Sequence, residues 1–239
     1  MLSREELLDL PGLPESRLSA ALRDRVPATS APAPWSAAVR AVLWWHRSTP
    51  ATASLLADDA PRKRLPLTIC ALIDYLHTPV GPYREILVSA GLLLDGRVPA
   101  ASIPFIAVDS IASVHGGRAN WGLPKTLAQF GHAELEGERC ALIEGEAEDG
   151  SAWSLRVRAR ARRRPVALPV TLRVRDRQFL ADGSSLDALA SVRGPVRLGR
   201  VDVDPAGPGL TRLIRAGSHP ALCIDRAEVG VGAARRRPA

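Results

Sequence analysis

The sequence predicts an α+β fold, mainly antiparallel strands with helices at the N-terminal end and the periphery, and three observations carry this. From Leu65 onward, runs of β-branched and apolar residues are separated by glycine and proline turns, as strands and their connections are. Ahead of that point the residues follow helix-start and helix-face patterns. No G-x-G-x-x-G follows a strand-like run, and neither a P-loop nor a G-x-S-x-G elbow occurs. Dinucleotide, phosphate and serine-nucleophile chemistry therefore have no motif behind them.

Residues 2–10 begin with Ser3 and Glu6, a capping-box pair, and continue through Leu7, Leu8 and Leu10 to Pro11, which predicts a short helix. A second helix is expected over 15–25, followed by a surface loop to Pro34. Trp35, Val39, Val42 and Leu43 share one helical face, so 35–46 is expected as a helix packed on a sheet. Residues 65–77 form the first long strand, Pro79-Val80-Gly81-Pro82 a turn and 83–94 the second strand, ended by Asp95-Gly96. A third strand over 103–114 leads into a glycine-rich approach at Gly116-Gly117. Further strands are expected over 127–136, 139–147, 152–161, 166–174 and 196–203, with short helices at 186–190 and 209–216. Residues 222–231 close the sheet, and 233–239 form a disordered basic tail.

A chain of 239 residues with 46% hydrophobic residues has the material for a core. No apolar run is long enough to span a bilayer and the first residues lack a secretory pattern, so a cytoplasmic protein is expected. Cys70, Cys140 and Cys223 are odd in number and flanked by apolar residues, which suits free thiols. The five histidines form no metal-ligand spacing, so neither metal nor cofactor is predicted. The net charge of +7 invites a polyanion partner. However, Arg156, Arg158, Arg160 and Arg162 alternate with Val157, Ala159 and Ala161, the period of a strand with one wet face. No recognition helix or aromatic platform accompanies the charge, which argues against nucleic acid.

The residue that stands out is Lys125. Of 32 basic residues only Lys63 and Lys125 are lysines. Lys63 sits in the polar run Arg62-Lys63-Arg64, whereas Lys125 lies among Trp121, Leu123, Pro124, Leu127 and Phe130. Arginine stays protonated, but a desolvated lysine can shed its proton and become a nucleophile. The alternative is a side chain that snorkels to the surface or pairs with a carboxylate.

Gly117-Arg118 and Gly122-Leu123-Pro124-Lys125 resemble the G-R-E-x-x-G-F-P-K-K signature of the acetoacetate decarboxylase family. Upstream, Gly81-Pro82-Tyr83-Arg84-Glu85 resembles its G-P-Y-x-E segment, and the likeness covers about residues 65–150. The resemblance implies a curved sheet or cone-like double β-barrel. It implies one domain over 1–232, its helical N-terminal segment 1–64 packed on the sheet, and Lys125 facing an enclosed, mainly apolar cavity. It also implies a homo-oligomer. The activity implied is that of a lyase in which Lys125 forms an imine with a small keto acid, most simply a β-keto acid that is decarboxylated.

Strand parity puts Tyr83 and Glu85 on one face, so Glu85 is the second candidate catalytic residue, a proton carrier or substrate-orienting group. Tyr83, Arg118 and Trp121 are the candidate substrate contacts. The amine must be neutral to attack, which for a lysine moved from about 10.4 to 6 or 7 takes about 5 kcal/mol against the charged form. Two departures from the family pattern bear on this: Thr126 stands where the family has a second lysine, and Ala119 where it often has glutamate. A neighbouring cation is one route to an activated lysine and burial is another, with Arg118 a candidate for the missing cation. An aldolase or dehydratase using the same imine, and a binding protein that has lost turnover, are the alternatives.

Overall fold

The structure, a computed structural model, describes residues 2–53, 64–94, 97–135, 138–162 and 168–238. The capping box forms as its residues dictate. Ser3 Oγ accepts the Glu6 amide, Glu6 Oε2 accepts the Ser3 amide at 2.7 Å, and helix α1 (Arg4–Leu8) follows. The expected second helix is divided into a 3-10 turn, Pro14–Ser16, and α2 (Ala20–Arg25).

Strands then take over earlier than the sequence suggested. Residues Trp35–Arg47 are strand β1, not a helix. Its register shifts between Val39 and Ala41, and both faces are buried: Val39 and Ala41 pack with Ile224 and Ala227, while Val42 and Trp44 enter the main core. A strand covered on both sides loses its simple alternation, and here the remaining spacing imitates a helix. After α3 (Pro50–Ala53) come β2 (Arg64–Leu65), β3 (Leu67–His77), β4 (Tyr83–Ser89), β5 (Leu92–Leu93), β6 (Ala100–Ala101) and β7 (Phe105–Val108). The predicted Asp95-Gly96 stop lies outside the described residues.

The expected third strand ends at Val108, and the glycine-rich approach is part of a helix, α4 (Ile111–Trp121). Ser110 caps it through the Ser113 amide, and Gly122 closes it in the left-handed region at φ 68°. Strand β8 (Lys125–Leu127) follows and pairs parallel with β7, the helix serving as the crossover that a parallel pair requires. Then come β9 (Gln129–Leu135), β10 (Glu138–Glu146), β11 (Ala152–Ala161), β12 (Leu168–Phe179), β13 (Ser185–Ala206), α5 (Leu210–Leu213), β14 (Gly217–Val231) and β15 (Arg235–Arg237).

These strands form one curved, unclosed and mostly antiparallel sheet in the order β2-β5-β6-β12-β13-β14-β1-β3-β4-β7-β8, with β11, β10 and β9 branching from β13. Three further expectations change. The short helix at 186–190 is strand, because Leu186, Asp187 and Ala188 are buried in succession inside the long β13. The basic tail is not disordered: Arg235–Arg237 pair with Ser185–Asp187, Arg237 meets Asp187 at 2.8 Å, and Arg236 meets Asp182 at 2.7 Å and Glu6 at 2.9 Å. The segment 1–64 is helical only in part, since β1 is the sheet's centre. The arginine-rich β11 is as expected, with Arg156, Arg158 and Arg160 exposed and Val157 and Ala159 buried.

Candidate active site

Three neighbouring strands and one helix set the position of Lys125. It opens β8 opposite Ile106 of β7, while β4 pairs with β7 on the far side, Glu85 facing Val108. Tyr83 and Glu85 share the face that parity assigned to them, whereas Ile86 and Val88 enter the core on the other. Helix α4 passes over the lysine with Gly117 at the crossing point. A Cβ there would lie 2.5 Å from Lys125 Cε and closer still to Cδ, so only glycine leaves the side chain its path. Gly116 does the same for Trp35, whose ring would be 2.5 Å from an added Cβ.

The amine is dry and surrounded by partners. Lys125 is 3% exposed and Glu85 2%, and Nζ donates to Glu85 Oε2 at 2.6 Å and to Ser113 Oγ at 3.1 Å. The Tyr83 hydroxyl is 3.5 Å from Nζ, which also stands 5.2 Å from the centre of the Tyr83 ring. Tyr75 stacks on Tyr83 at 4.4 Å and donates its hydroxyl hydrogen to Glu85 Oε1 at 3.2 Å. Both carboxylate oxygens of Glu85 are thus engaged. The immediate surround is polar rather than mainly apolar, as a buried charge requires; apolar walls from Val108, Val114 and Ile106 lie beyond.

This arrangement reverses one expectation. Burial pushes the Lys125 amine down, but the Glu85 carboxylate and then Tyr83 outweigh it, so the resting amine is held above the ordinary lysine range. Burial raises Tyr75 and Tyr83 as well, so both phenols keep their protons. A further acid, Asp176 of β12, feels both Lys125 and Glu85, and burial pushes it up to about 7.

Arg118 and Trp121 are not brought to the amine. Arg118 is fully buried, and its guanidinium donates to the carbonyls of Lys125 at 2.6 Å, Leu7 at 2.9 Å and Ser16 at 2.9 Å. Burial lowers it to about 9, so it is still charged near neutrality. It grips the lysine's backbone and does not replace the family's second cation beside the amine. Trp121 donates its indole hydrogen to the Gly232 carbonyl at 2.7 Å and meets Trp35 edge-on at 5.0 Å. Alternation turns Thr126 away from Lys125. Thr126 instead lines a separate depression of about 600 Å³ with Leu22, Glu146 and Trp153, none of them a partner of the amine. Sequence reasoning missed Ser113, Tyr75 and Asp176. For Ser113 the available signal was the cap pair Ser110 and Gly122, which would have revealed the helix; Tyr75 was legible from the register of the Pro79–Pro82 turn.

No family model and no curated protein sequence matches the chain. Solved structures do. Acetoacetate decarboxylase from Legionella pneumophila aligns with a TM-score of 0.62 at 15% identity, over 90% of this chain and 94% of that one. The enduracididine biosynthesis enzyme MppR with HEPES buffer bound aligns with a TM-score of 0.65 at 16% identity, over 87% and 89%. An acetoacetate decarboxylase-like enzyme from Sphingomonas wittichii RW1 gives 0.59 at 15%, over 87% and 94%. The chain has the acetoacetate decarboxylase-like fold. At these identities the likeness speaks for the fold; what the protein does has to be argued from Lys125 and its neighbours. No helix among the described residues is long and apolar enough to cross a membrane.

Proposed function

We propose that this protein is a lysine-dependent carbon–carbon lyase that binds a small keto acid as an imine on Lys125, most simply decarboxylating a β-keto acid. The observation that carries this is the enclosed Lys125–Glu85 contact of 2.6 Å, with Ser113 and Tyr83 completing the shell around Nζ. A proton can pass from Nζ to Glu85 Oε2 along that one hydrogen bond with no net charge leaving the buried site. The neutral amine then attacks the ketone carbon, and Glu85 returns the proton to the departing hydroxyl as water is lost. In the resulting iminium, the bond to the carboxylate breaks and its electron pair moves into the C=N group, releasing carbon dioxide and leaving an enamine. Proton delivery to carbon and addition of water complete the cycle.

Arg118 and Trp121 act in this scheme as positioning residues, one fixing the carbonyl of Lys125 and the other holding the wall beside Trp35. Aldol-type condensation is the second reading, supported by two structural neighbours of this chain, MppR complexed with pyruvate and MppR complexed with the condensation product of pyruvate and imidazole 4-carboxaldehyde. Self-association is part of the proposal and rests on the family resemblance alone. Incubation with acetoacetate or pyruvate, borohydride reduction and peptide mapping test the chemistry. A reduced adduct on Lys125 with gas release supports decarboxylation, and an adduct with pyruvate without gas supports condensation. Lys125→Arg is expected to remove the adduct; an adduct that survives it, or none in the native chain, rejects the imine.

A further inference from the structure

We propose that Asp176 is a second catalytic acid of this site, the group that exchanges a proton with the substrate carbon next to the Lys125 imine. This rests on the imine chemistry above and asks what that chemistry leaves unassigned. Glu85 lies on the nitrogen side, with Oε2 on Lys125 and Oε1 on Tyr75. Burial raises both phenols above the ordinary tyrosine range, which makes them poor proton donors to carbon. The enamine carbon therefore needs another proton carrier.

The fold links Asp176 to Lys125 through the wall beside it. On β13 its Cα partner is Ala188, which packs with Ile103, Ile106, Trp121 and Leu123, and Ile106 is the Cα partner of Lys125 across β7 and β8. Gly122, just before Lys125, backs onto the same stretch of β12: a Cβ there would stand 3.5 Å from Gln178 Cβ. Asp176 Oδ1 accepts from Gln178 Nε2, and Gln178 Oε1 in turn accepts the Ile103 amide at 3.4 Å, which pins the carboxyl. Its other oxygen, Oδ2, has no hydrogen-bond partner among the described residues.

The contrast with the next carboxylate is sharp. Asp187 on β13 gathers Arg175 at 3.3 Å, Arg177 at 2.6 Å and Arg237 at 2.8 Å, whereas no arginine or lysine is ion-paired with Asp176 among the described residues. A buried carboxyl left without a cation stays protonated to a higher pH. The charged groups acting on Asp176 are Asp187 and Glu85, which raise it, and Lys125, which lowers it; burial is the largest influence, and the group titrates near 7. It can therefore give or take a proton under neutral conditions. After carbon dioxide leaves, the enamine C=C pair takes the proton from Asp176 Oδ2, forming the C–H bond and restoring the iminium. Water then adds to the iminium, and the Asp176 carboxylate takes the proton that this addition releases.

The reverse of that carbon step provides the test. In D2O, the Asp176 carboxylate would remove a methyl proton from the pyruvate imine and return deuterium, which proton NMR follows while borohydride trapping counts the adduct. The native chain is expected to exchange the methyl group, and Asp176→Asn to form the adduct yet exchange about 100-fold more slowly per adduct. Exchange per adduct in the native chain should rise as pH passes up through about 7, where the carboxylate appears. Unchanged exchange in Asp176→Asn overturns the assignment, as does a native adduct without exchange. Absence of any native adduct with pyruvate or acetoacetate overturns the imine itself and this step with it. If Asp176→Asn does not fold by circular dichroism, the native pH profile decides, a flat one rejecting Asp176.

Discussion

Lys125 keeps its extended path only because position 117 has no side chain. Gly117→Ala adds a methyl group into the space of Lys125 Cδ and Cε. Overpacking of this kind costs about 1–3 kcal/mol, offset in part by alanine's better helix propensity. The expected result is a folded protein with a modest change in melting temperature and at least tenfold less borohydride-trapped adduct; full trapping would show that the lysine finds another route. Glu85→Gln removes the larger of the two influences that hold the amine up, so that burial weighs more heavily against the charged form. The rate of adduct formation against pH should therefore begin its rise at lower pH than in the native chain, with a smaller maximum because the proton carrier is gone. A shift to higher pH would contradict the ion-pair account. Lys125 itself was legible from composition, as one of two lysines among 32 basic residues. Tyr83 and Glu85 were legible from parity. Asp176 was not, because its link to the lysine runs through its pairing with Ala188 and the packing of Ala188 with Ile106, partners far apart in sequence that no local pattern records.

Helix α4 and strand β15 show where element boundaries were readable and where packing overrode them. The cap signals of α4, Ser110 and Gly122, were present, but Gly116 and Gly117 resemble a loop until Trp35 and Lys125 are seen to need the space. Ser110→Ala should cost about 1 kcal/mol, a fall of about 2–4 °C in melting temperature for a chain of this size. No measurable change would mean that tertiary contacts alone fix the start of α4. For β15, the individual ion pairs of Arg236 and Arg237 are half-exposed and screened by solvent, so Arg236→Ala should lower stability only slightly. Removing 233–239 also strips Ala234 from the walls around Trp121 and Leu180, and the loss in denaturant unfolding should exceed that of Arg236→Ala. Charge alone suggested disorder in this segment, since the acids that bind it, Glu6, Asp182 and Asp187, lie far away in sequence.

Across the whole molecule, the buried acid leaves a mark on stability. Below about pH 4, Asp176 is protonated whether the chain is folded or not and costs nothing. As pH climbs to about 7, the unfolded carboxyl ionises while the folded one does not, and folding loses up to about 4 kcal/mol, after which the penalty is constant. Asp176→Asn should flatten this part of the stability profile relative to the native chain, as read by urea unfolding at several pH values; parallel profiles would show that the carboxyl ionises freely. Lys125 acts at the other end. Its raised value contributes stability that is complete below about pH 10 and fades as pH passes the folded value. The sheet itself was foreseen because alternation and turns are written locally, whereas β1, at its centre, was misread because it is covered on both sides. Finally, one guanidinium ties the backbone of the reactive residue to the carbonyls of Leu7 and Ser16. Disturbing the first turns of the chain, by clipping, antibody capture or a bulky fusion, is thus expected to loosen the backbone of Lys125 from a distance, without altering any group that touches its amine.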